Sequence, residues 1–270
     1  MAKFLIIYAD GIGTAQLDPD DGRSIMRQLV DKLVASLRHY GFKVTVIRVT
    51  WSASMAGVGG DKSWDEAAAE GVRDLDRLVE AHPGEPLILL GYSGGCKVIH
   101  DWLDRHAGTS LLDRVLAVGL MSDPYRPRDR QQDKWPTRGW GIAGERLGPI
   151  PDRTFWTTIP GDVISDALPD AILRTGADVS RAMPGGFVRS LVRHVNAGSL
   201  QLAWQIGVFQ RNPLAWFAAL GPRLAQARDD IHGYATGRHT TAYTEPFNGG
   251  PSLIDRLAAT LSWAVRARLS

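Results

Sequence analysis

The amino-acid sequence predicts an α/β fold, a three-layer sandwich in which a mainly parallel sheet of about five strands lies between helices. Over the first 159 of the 270 residues, short apolar runs alternate with segments whose apolar residues recur at helical spacing. The runs are continuously apolar, which is typical of strands that are buried on both faces of a parallel sheet. We therefore expect one domain over residues 1–270.

Five segments have the character of buried strands. The first, residues 4–9, reads Phe-Leu-Ile-Ile-Tyr-Ala and is followed by turn residues. The second, residues 44–49, is rich in β-branched side chains, which favour strands. The others are residues 87–90, 115–121 and 154–159. Their alternation with helical segments indicates a parallel sheet.

Four segments are predicted to be helices that cover this sheet. In residues 24–40 the apolar side chains at positions 25, 26, 29, 30, 33, 34 and 37 share one face, and Gly41 ends the helix. Residues 64–81 carry a comparable apolar face. Residues 96–105 and 252–269 complete the set, and the last of these returns the chain to the sheet.

Residues 167–233 break the alternation of strands and helices. They contain no convincing strand, only helical stretches that are interrupted at glycine and proline residues. We expect a helical insertion that forms either a small core of its own or a lid over a site. The densest aromatic group of the chain falls here, namely Trp204, Phe209, Trp216 and Phe217. We expect these four side chains to bind substrate, unless they fill the core of the insertion.

Composition excludes several classes of protein. Lys and Arg total 31 against 29 Asp and Glu, and a net charge of +2 is too balanced for an electrostatic nucleic-acid binder. The single cysteine, Cys96, excludes an intramolecular disulfide and a cysteine-based zinc site. The sequence has no H-E-x-x-H motif, so no metal is expected. Gly11-Ile-Gly13 begins a dinucleotide-binding pattern, but Gln16 replaces its third glycine, and no cofactor is expected.

The apolar runs are too short for a targeting or membrane segment. The first run ends at Asp10, which is too early for a secretory signal. No later run approaches the ~18 apolar residues of a membrane span. We therefore expect a chain that is made in a cytoplasm and carries no export signal.

A candidate nucleophile lies in the segment Gly91-Tyr-Ser93-Gly-Gly95, an intact Gly-x-Ser-x-Gly motif. The segment directly follows a predicted strand and directly precedes a predicted helix, which is the context that the motif requires. Glycines flank the serine because the turn is tight and larger side chains would collide with the strand and the helix. The Ser93 Oγ would stand at the C-terminal edge of the sheet, near the positive end of the helix. An ordinary glycine-rich turn is the alternative interpretation.

A serine nucleophile needs a general base, and in this type of site the acid and the base follow later in the chain. Of the seven histidines, only His232 and His239 lie in the late loop region that comes just before the final helix. We favour His239, in an irregular polar loop, over His232, which continues a helical stretch. For the acid we favour Asp162, directly after the fifth strand, over Asp123 and Asp166. Each of these three could instead cap a helix.

An oxyanion hole requires two backbone N–H groups that point at the developing negative charge. The residue after the nucleophile, Gly94, would supply one of them. The second should come from the loop after the first strand, where we choose Ile12.

Together these motifs resemble those of the cutinase-like serine esterases of the α/β-hydrolase superfamily, and more closely those of the lysin B enzymes of mycobacteriophages. The similar pieces are residues 91–95, Trp51-Ser-Ala-Ser54, Gly161-Asp162, His239 with Tyr243, and the long insertion between acid and histidine. Two features depart from the family pattern. Many relatives have glutamine where this chain has Gly94, and cutinases usually carry disulfides and a signal peptide, neither of which is expected here.

The resemblance implies an α/β-hydrolase fold and a serine esterase that hydrolyses the ester bond between mycolic acids and arabinogalactan of the mycobacterial envelope. It implies this lipid ester as the partner, with no nucleic acid, no integral membrane association and no obligate protein partner. A lysis enzyme of this kind would stay in the host cytoplasm until holin pores release it to the envelope. Two alternatives stay open: a general cutinase- or lipase-type esterase with no lysis role, and a hydrolase-like binding protein without catalysis.

Overall fold

A five-stranded parallel sheet forms the centre of the molecule. The computed structural model describes residues 3–18, 21–55, 57–131, 135–146, 148, 151–171, 173–174, 177–178, 211–218 and 220–269. The strands are β1 (Lys3–Ala9), β2 (Lys43–Arg48), β3 (Leu87–Tyr92), β4 (Val115–Met121) and β5 (Thr154–Thr157). They pair in the order β2-β1-β3-β4-β5, and every pair is parallel. All five predicted strands are present, with bounds within two residues of the prediction.

Helices cover both faces of this sheet. The α-helices of the described residues are α1 (Ile25–His39), α2 (Trp64–Ala81), α3 (Gly95–Arg105), α4 (Pro213–Ala218), α5 (Leu220–Ala235) and α6 (Leu253–Ala267). The four helices predicted to cover the sheet correspond to α1, α2, α3 and α6. In the part of the chain that the structure describes, no helix is long and apolar enough to cross a membrane.

The sheet separates two hydrophobic cores, so each central strand buries side chains on both faces. In β1, Phe4 and Ile6 pack with residues of α1 and α6, whereas Leu5 and Ile7 pack with residues of α2 and α3. The helices therefore form two outer layers, α1 with α6 and α2 with α3. This double burial explains why the strands are continuously apolar in sequence.

Serine residues fix the starts of three helices. Ser24, Ser63 and Ser252 each accept a hydrogen bond from a backbone N–H in the first turn of α1, α2 and α6. At α2 the cap is reciprocal, because Glu66 also accepts from the Ser63 N–H. A cap of this kind stabilises a helix by about 1 kcal/mol. The bounds of α2 agree with the sequence prediction.

A short hairpin before α6 goes beyond the predicted elements. It consists of β6 (Pro246–Phe247) and β7 (Gly250–Ser252), which pair antiparallel. The turn residues Asn248 and Gly249 have φ values of +49° and +72°, as a type I′ turn requires. An Asn-Gly pair is a hairpin signal, but strands this short show no alternating pattern in the sequence.

The predicted helical insertion, residues 167–233, is described in part. The described portion consists of residues 167–171, 173–174, 177–178, 211–218 and 220–233, and it includes α4 and most of α5. Residues 179–210 lie outside the described residues. The extent of the insertion and its lid role therefore stay predictions.

The turn from β3 into α3 brings the start of α3 against the end of β1. A Cβ on Gly95 would lie well inside van der Waals contact of the Ala9 and Asp10 carbonyl oxygens. Both obstacles are backbone atoms, which a side-chain rotation cannot move. Glycine is therefore required here by close packing, and the constraint fixes the turn around Ser93 relative to the loop after β1.

We expect Gly95→Ala to lower the free energy of unfolding by about 1–3 kcal/mol, because the added methyl group overpacks a backbone contact. The control is Gly22→Ala, where no described residue comes within 4 Å of an added Cβ. Urea unfolding of both variants measures the difference. Equal stability of the two variants would contradict the packing argument.

Candidate active site

Three side chains from distant parts of the sequence form a hydrogen-bonded chain at the C-terminal edge of the sheet. Ser93 follows β3, Asp162 lies beyond β5, and His239 belongs to the loop between α5 and α6. The His239 Nε2 lies 2.9 Å from the Ser93 Oγ. The His239 Nδ1 lies 3.2 Å from each carboxylate oxygen of Asp162. The structure thus brings together the serine, histidine and acid that the sequence favours.

The backbone around Ser93 has the geometry of a nucleophile elbow. Ser93 has a φ of +50°, a left-handed conformation that costs a non-glycine residue about 1–3 kcal/mol. Its N–H donates to the Met121 carbonyl at 3.0 Å, which holds the turn against the end of β4. A Cβ on Gly91 would collide with the Cys96 backbone, so the glycine before the serine is needed as well. The residue Ser93 is only 9% exposed.

The carboxylate of Asp162 is fully buried and is held by several donors. The Tyr243 hydroxyl donates to Oδ2 at 2.7 Å, the Ser122 hydroxyl donates to the same oxygen at 2.5 Å, and the Ile164 N–H donates to Oδ1 at 3.2 Å. Burial by itself raises the pKa of Asp162. The charge of His239 and the hydrogen bonds from His239, Ser122 and Tyr243 outweigh it and hold that pKa below its ordinary value. The group is therefore an anion at neutral pH.

Two tyrosine rings stack on the imidazole of His239. The rings of Tyr92 and Tyr234 stack on it with centroid distances of 5.3 and 4.8 Å. The Tyr92 hydroxyl also donates to the His239 carbonyl at 2.8 Å. Tyr234 comes from α5 and is half exposed, whereas His239 is buried.

Asp123, the first competitor for the acid, belongs to a different buried pair. Its Oδ2 lies 2.8 Å from the His100 Nε2 and accepts from the Trp156 Nε1 at 2.9 Å. Its Oδ1 accepts the Tyr125 N–H. The structure keeps Asp123 on the α3 side and away from His239.

Asp166, the second competitor, binds backbone N–H groups. It accepts from Arg138 and Gly139 at 2.7 and 2.8 Å, and from Gly161 at 2.7 Å. Its carboxylate therefore shapes the loop that carries Asp162 and does not reach the histidine. The competing base, His232, is an exposed residue of α5.

The two backbone groups chosen for the oxyanion hole lie beside each other. The Ile12 nitrogen lies 3.5 Å from the position that a Cβ on Gly94 would take. Among the hydrogen bonds of the described residues, neither the Ile12 nor the Gly94 N–H has an acceptor. The loop around Ile12 is fixed by the Gly13 N–H, which donates to the Ala53 carbonyl at 2.8 Å. The assignment stays a prediction that this proximity supports.

The described side chains do not test the four aromatic residues that are predicted to bind substrate. Trp204 and Phe209 lie outside the described residues. Trp216 and Phe217 belong to α4, of which only the backbone is described at these two positions. Within the described residues, no group of three or more His, Cys, Asp or Glu side chains could hold a metal ion.

The roles of Ser122, Tyr92 and Tyr234 in the site go beyond the sequence prediction, and of these only Tyr92 belongs to the Gly-x-Ser-x-Gly segment. Ser122 contacts both the acid and the histidine, and its only sequence signal is its position directly after a buried strand, the same signal that marks Asp162. Tyr234 contacts the histidine ring from α5, and no motif marks it.

Comparisons with known proteins identify a shared fold. No protein-family model and no curated protein sequence matches this chain. Among solved structures it is similar to lysin B from Mycobacteriophage D29, with a TM-score of 0.56 and 18% identity over 96% of this chain and 98% of that chain. The predicted α/β-hydrolase fold is confirmed, and this chain shares it with lysin B.

Two further solved structures match with lower scores. One is the catalytic core domain of acetyl xylan esterase from Trichoderma reesei, with a TM-score of 0.47 and 15% identity over 62% of this chain and 87% of that chain. The other is a cutinase-like protein from Cryptococcus sp., with a TM-score of 0.44 and 19% identity over 61% of this chain and 79% of that chain.

The buried pair of Asp123 and His100 makes stability depend on pH. Burial raises the pKa of Asp123, but the charge of His100 and three hydrogen bonds hold it below its ordinary value of 3.8. A carboxyl with a lowered pKa stabilises the fold above that value, and the stabilisation is lost as the pH falls and the group binds a proton.

We therefore expect the free energy of unfolding to fall between about pH 5 and pH 3 by as much as ~1.4 kcal/mol per pH unit for each such carboxylate. In Asp123→Asn one of these carboxylates is absent, so its stability should fall less steeply with pH, from a lower starting value. Urea unfolding at three pH values across this range measures both slopes. Parallel curves for the two proteins would contradict the assignment.

Proposed function

We propose that this chain is a serine carboxylic-ester hydrolase. The observation that carries the proposal is the 2.9 Å hydrogen bond between the Ser93 Oγ and the His239 Nε2, with the other ring nitrogen on the buried carboxylate of Asp162. A hydroxyl on a strained turn next to an oriented imidazole is the arrangement that nucleophilic acyl transfer requires. A binding protein without catalysis gives no reason for this alignment.

The proposed reaction proceeds through an acyl-enzyme. The Ser93 Oγ attacks the ester carbonyl carbon while the His239 Nε2 takes its proton. The carbonyl oxygen becomes an oxyanion and accepts hydrogen bonds from the N–H groups of Ile12 and Gly94. Collapse of this intermediate releases the alcohol, which receives the proton from His239. A water molecule then attacks the acyl group with His239 again as base, and this step frees the acid and the serine.

Asp162 would act through the histidine. As a buried anion it holds the proton on the His239 Nδ1, so the Nε2 faces Ser93 with a free lone pair. Once the imidazole has taken a proton, the same carboxylate stabilises its positive charge at about 3.2 Å. Tyr243 supports this role. Burial raises the pKa of its hydroxyl, so the hydroxyl stays protonated and donates a hydrogen bond to Asp162.

For the substrate we propose the ester between mycolic acids and arabinogalactan. The motifs that resemble those of lysin B enzymes support this choice, and this chain shares the lysin B fold over 96% of its length. In this proposal the enzyme stays in the host cytoplasm until holin pores release it, and it then acts at the mycobacterial envelope. The lipid ester would be its partner, and no obligate protein partner is proposed.

We expect Ser93→Ala and His239→Ala each to lower the rate of p-nitrophenyl butyrate hydrolysis by on the order of 10⁴-fold. The double variant should be little worse than either single one, because the members of a triad act as a unit. A serine-reactive organophosphorus inhibitor should label the wild type and leave Ser93→Ala unlabelled. Melting temperatures of the variants control for folding, and a tenth of the activity left in a folded Ser93→Ala would exclude Ser93 as nucleophile.

The substrate proposal has its own experiment. Purified mycolyl-arabinogalactan is incubated with wild type and with Ser93→Ala, and free mycolic acid is measured by chromatography. We expect release by the wild type alone. If the wild type hydrolyses p-nitrophenyl butyrate and releases no mycolic acid, the general esterase is the correct alternative. If it hydrolyses neither, the esterase proposal itself is wrong.

A further inference from the structure

The hydroxyl group of Ser122 lies between the acid and the base of the site. Its Oγ is 2.5 Å from the Asp162 Oδ2 and 2.9 Å from the His239 Nδ1. The residue is completely buried. The His239 Nδ1 is thus nearer to the serine oxygen than to either carboxylate oxygen, both of which lie at 3.2 Å.

The backbone at Ser122 is held in a conformation that aims this hydroxyl at the site. Its φ is +50°, in the left-handed region that non-glycine residues seldom adopt. The Ser122 N–H donates to the Thr157 carbonyl at 3.0 Å, which ties the residue to the end of β5. The next residue, Asp123, is anchored by His100 and Trp156. The segment is therefore fixed on both sides, and the strain persists because its surroundings determine it.

Donor and acceptor chemistry allows one arrangement of protons here. A hydroxyl has one proton and two lone pairs, whereas an ionised carboxylate only accepts. The Ser122 hydroxyl therefore donates its hydrogen bond to Asp162, and a lone pair of the Ser122 Oγ faces the His239 Nδ1. That nitrogen must then donate, so its proton is shared between the hydroxyl and the carboxylate.

We propose that Ser122 is a positioning residue of this site. Its hydroxyl accepts from the His239 Nδ1–H and donates to Asp162, which fixes the rotation of the imidazole and keeps the Nε2 directed at Ser93. Both carboxylate oxygens lie at 3.2 Å from the Nδ1, whereas the serine oxygen lies at 2.9 Å and is the nearest acceptor of the Nδ1 proton. The proposal rests on the esterase function proposed above.

Two substitutions separate the hydroxyl from the backbone. Ser122→Ala removes the Oγ and keeps the strained φ, whereas Ser122→Gly removes the Oγ and also relieves the strain. If the hydroxyl matters, both variants should lower kcat for p-nitrophenyl butyrate by about 10- to 100-fold, with KM within about twofold of wild type. The matched control is Ser262→Ala, a buried serine that contacts the Ser36 hydroxyl far from the site, and it should leave kcat unchanged.

A second measurement detects the contact between Ser122 and His239 independently of catalysis. Proton NMR of the protein with ¹⁵N-labelled histidine detects the Nδ1–H resonance of His239, which His239→Ala identifies by its loss. This resonance should shift in Ser122→Ala and in Ser122→Gly, and should stay in place in Ser262→Ala. The same shift in both variants would link the resonance to the hydroxyl that both lack.

The proposal is overturned if either variant keeps kcat within about twofold of wild type. It is also overturned if glycine restores the kcat that alanine loses, because the backbone strain would then be responsible, or if the resonance does not shift. Absence of esterase activity in the wild type would be a failure of the proposed function alone. In that case the resonance still decides whether Ser122 holds the His239 Nδ1.

Discussion

A buried carboxylate has to be matched by hydrogen-bond donors, and the carboxylate of Asp162 imposes this requirement on the whole site. Removing an ionised group from water is costly unless charge and hydrogen bonds compensate for it. The donors come from separate parts of the chain: Ser122 after β4, Ile164 in the acid's own loop, and His239 and Tyr243 before α6. The need to satisfy one anion therefore joins these segments at one place.

The parallel sheet makes this convergence possible. β3, β4 and β5 are neighbours, and their C-terminal ends open at the same edge. Other buried carboxylates at this edge accept from other donors, Asp123 from His100 and Asp166 from backbone N–H groups. Each of the three acids thus has its own set of donors. The two structural acids keep the loops in place, and Asp162 alone is left to orient the histidine.

Much of the fold and part of the site can be predicted from the sequence. Physical reasons explain which features are predictable and which are not. Strands buried on both faces have continuous apolar runs, so β4 agrees with its prediction in both bounds. The elbow around Ser93 is readable because close packing demands glycines beside it. The contact of Ser122 with His239 is not readable, because the two residues lie 117 positions apart in the chain. Tyr234 is close to His239 in sequence, but its stacking depends on the conformation of the loop between them, which no motif indicates.

Ser93 and Ser122 repeat one local geometry on adjacent strands. Each directly follows the last residue of its strand, has a φ of +50°, and donates its N–H at 3.0 Å to the carbonyl of the last residue of the next strand. The left-handed turn points both side chains into the same edge, and the ladder bond to the neighbouring strand holds the strain in place. At β3 this geometry presents the proposed nucleophile, and at β4 it presents a hydroxyl between Asp162 and His239. Glycines mark the turn at Ser93 in the sequence, whereas the turn at Met-Ser122-Asp contains no glycine. The repeated geometry is therefore visible only in the structure.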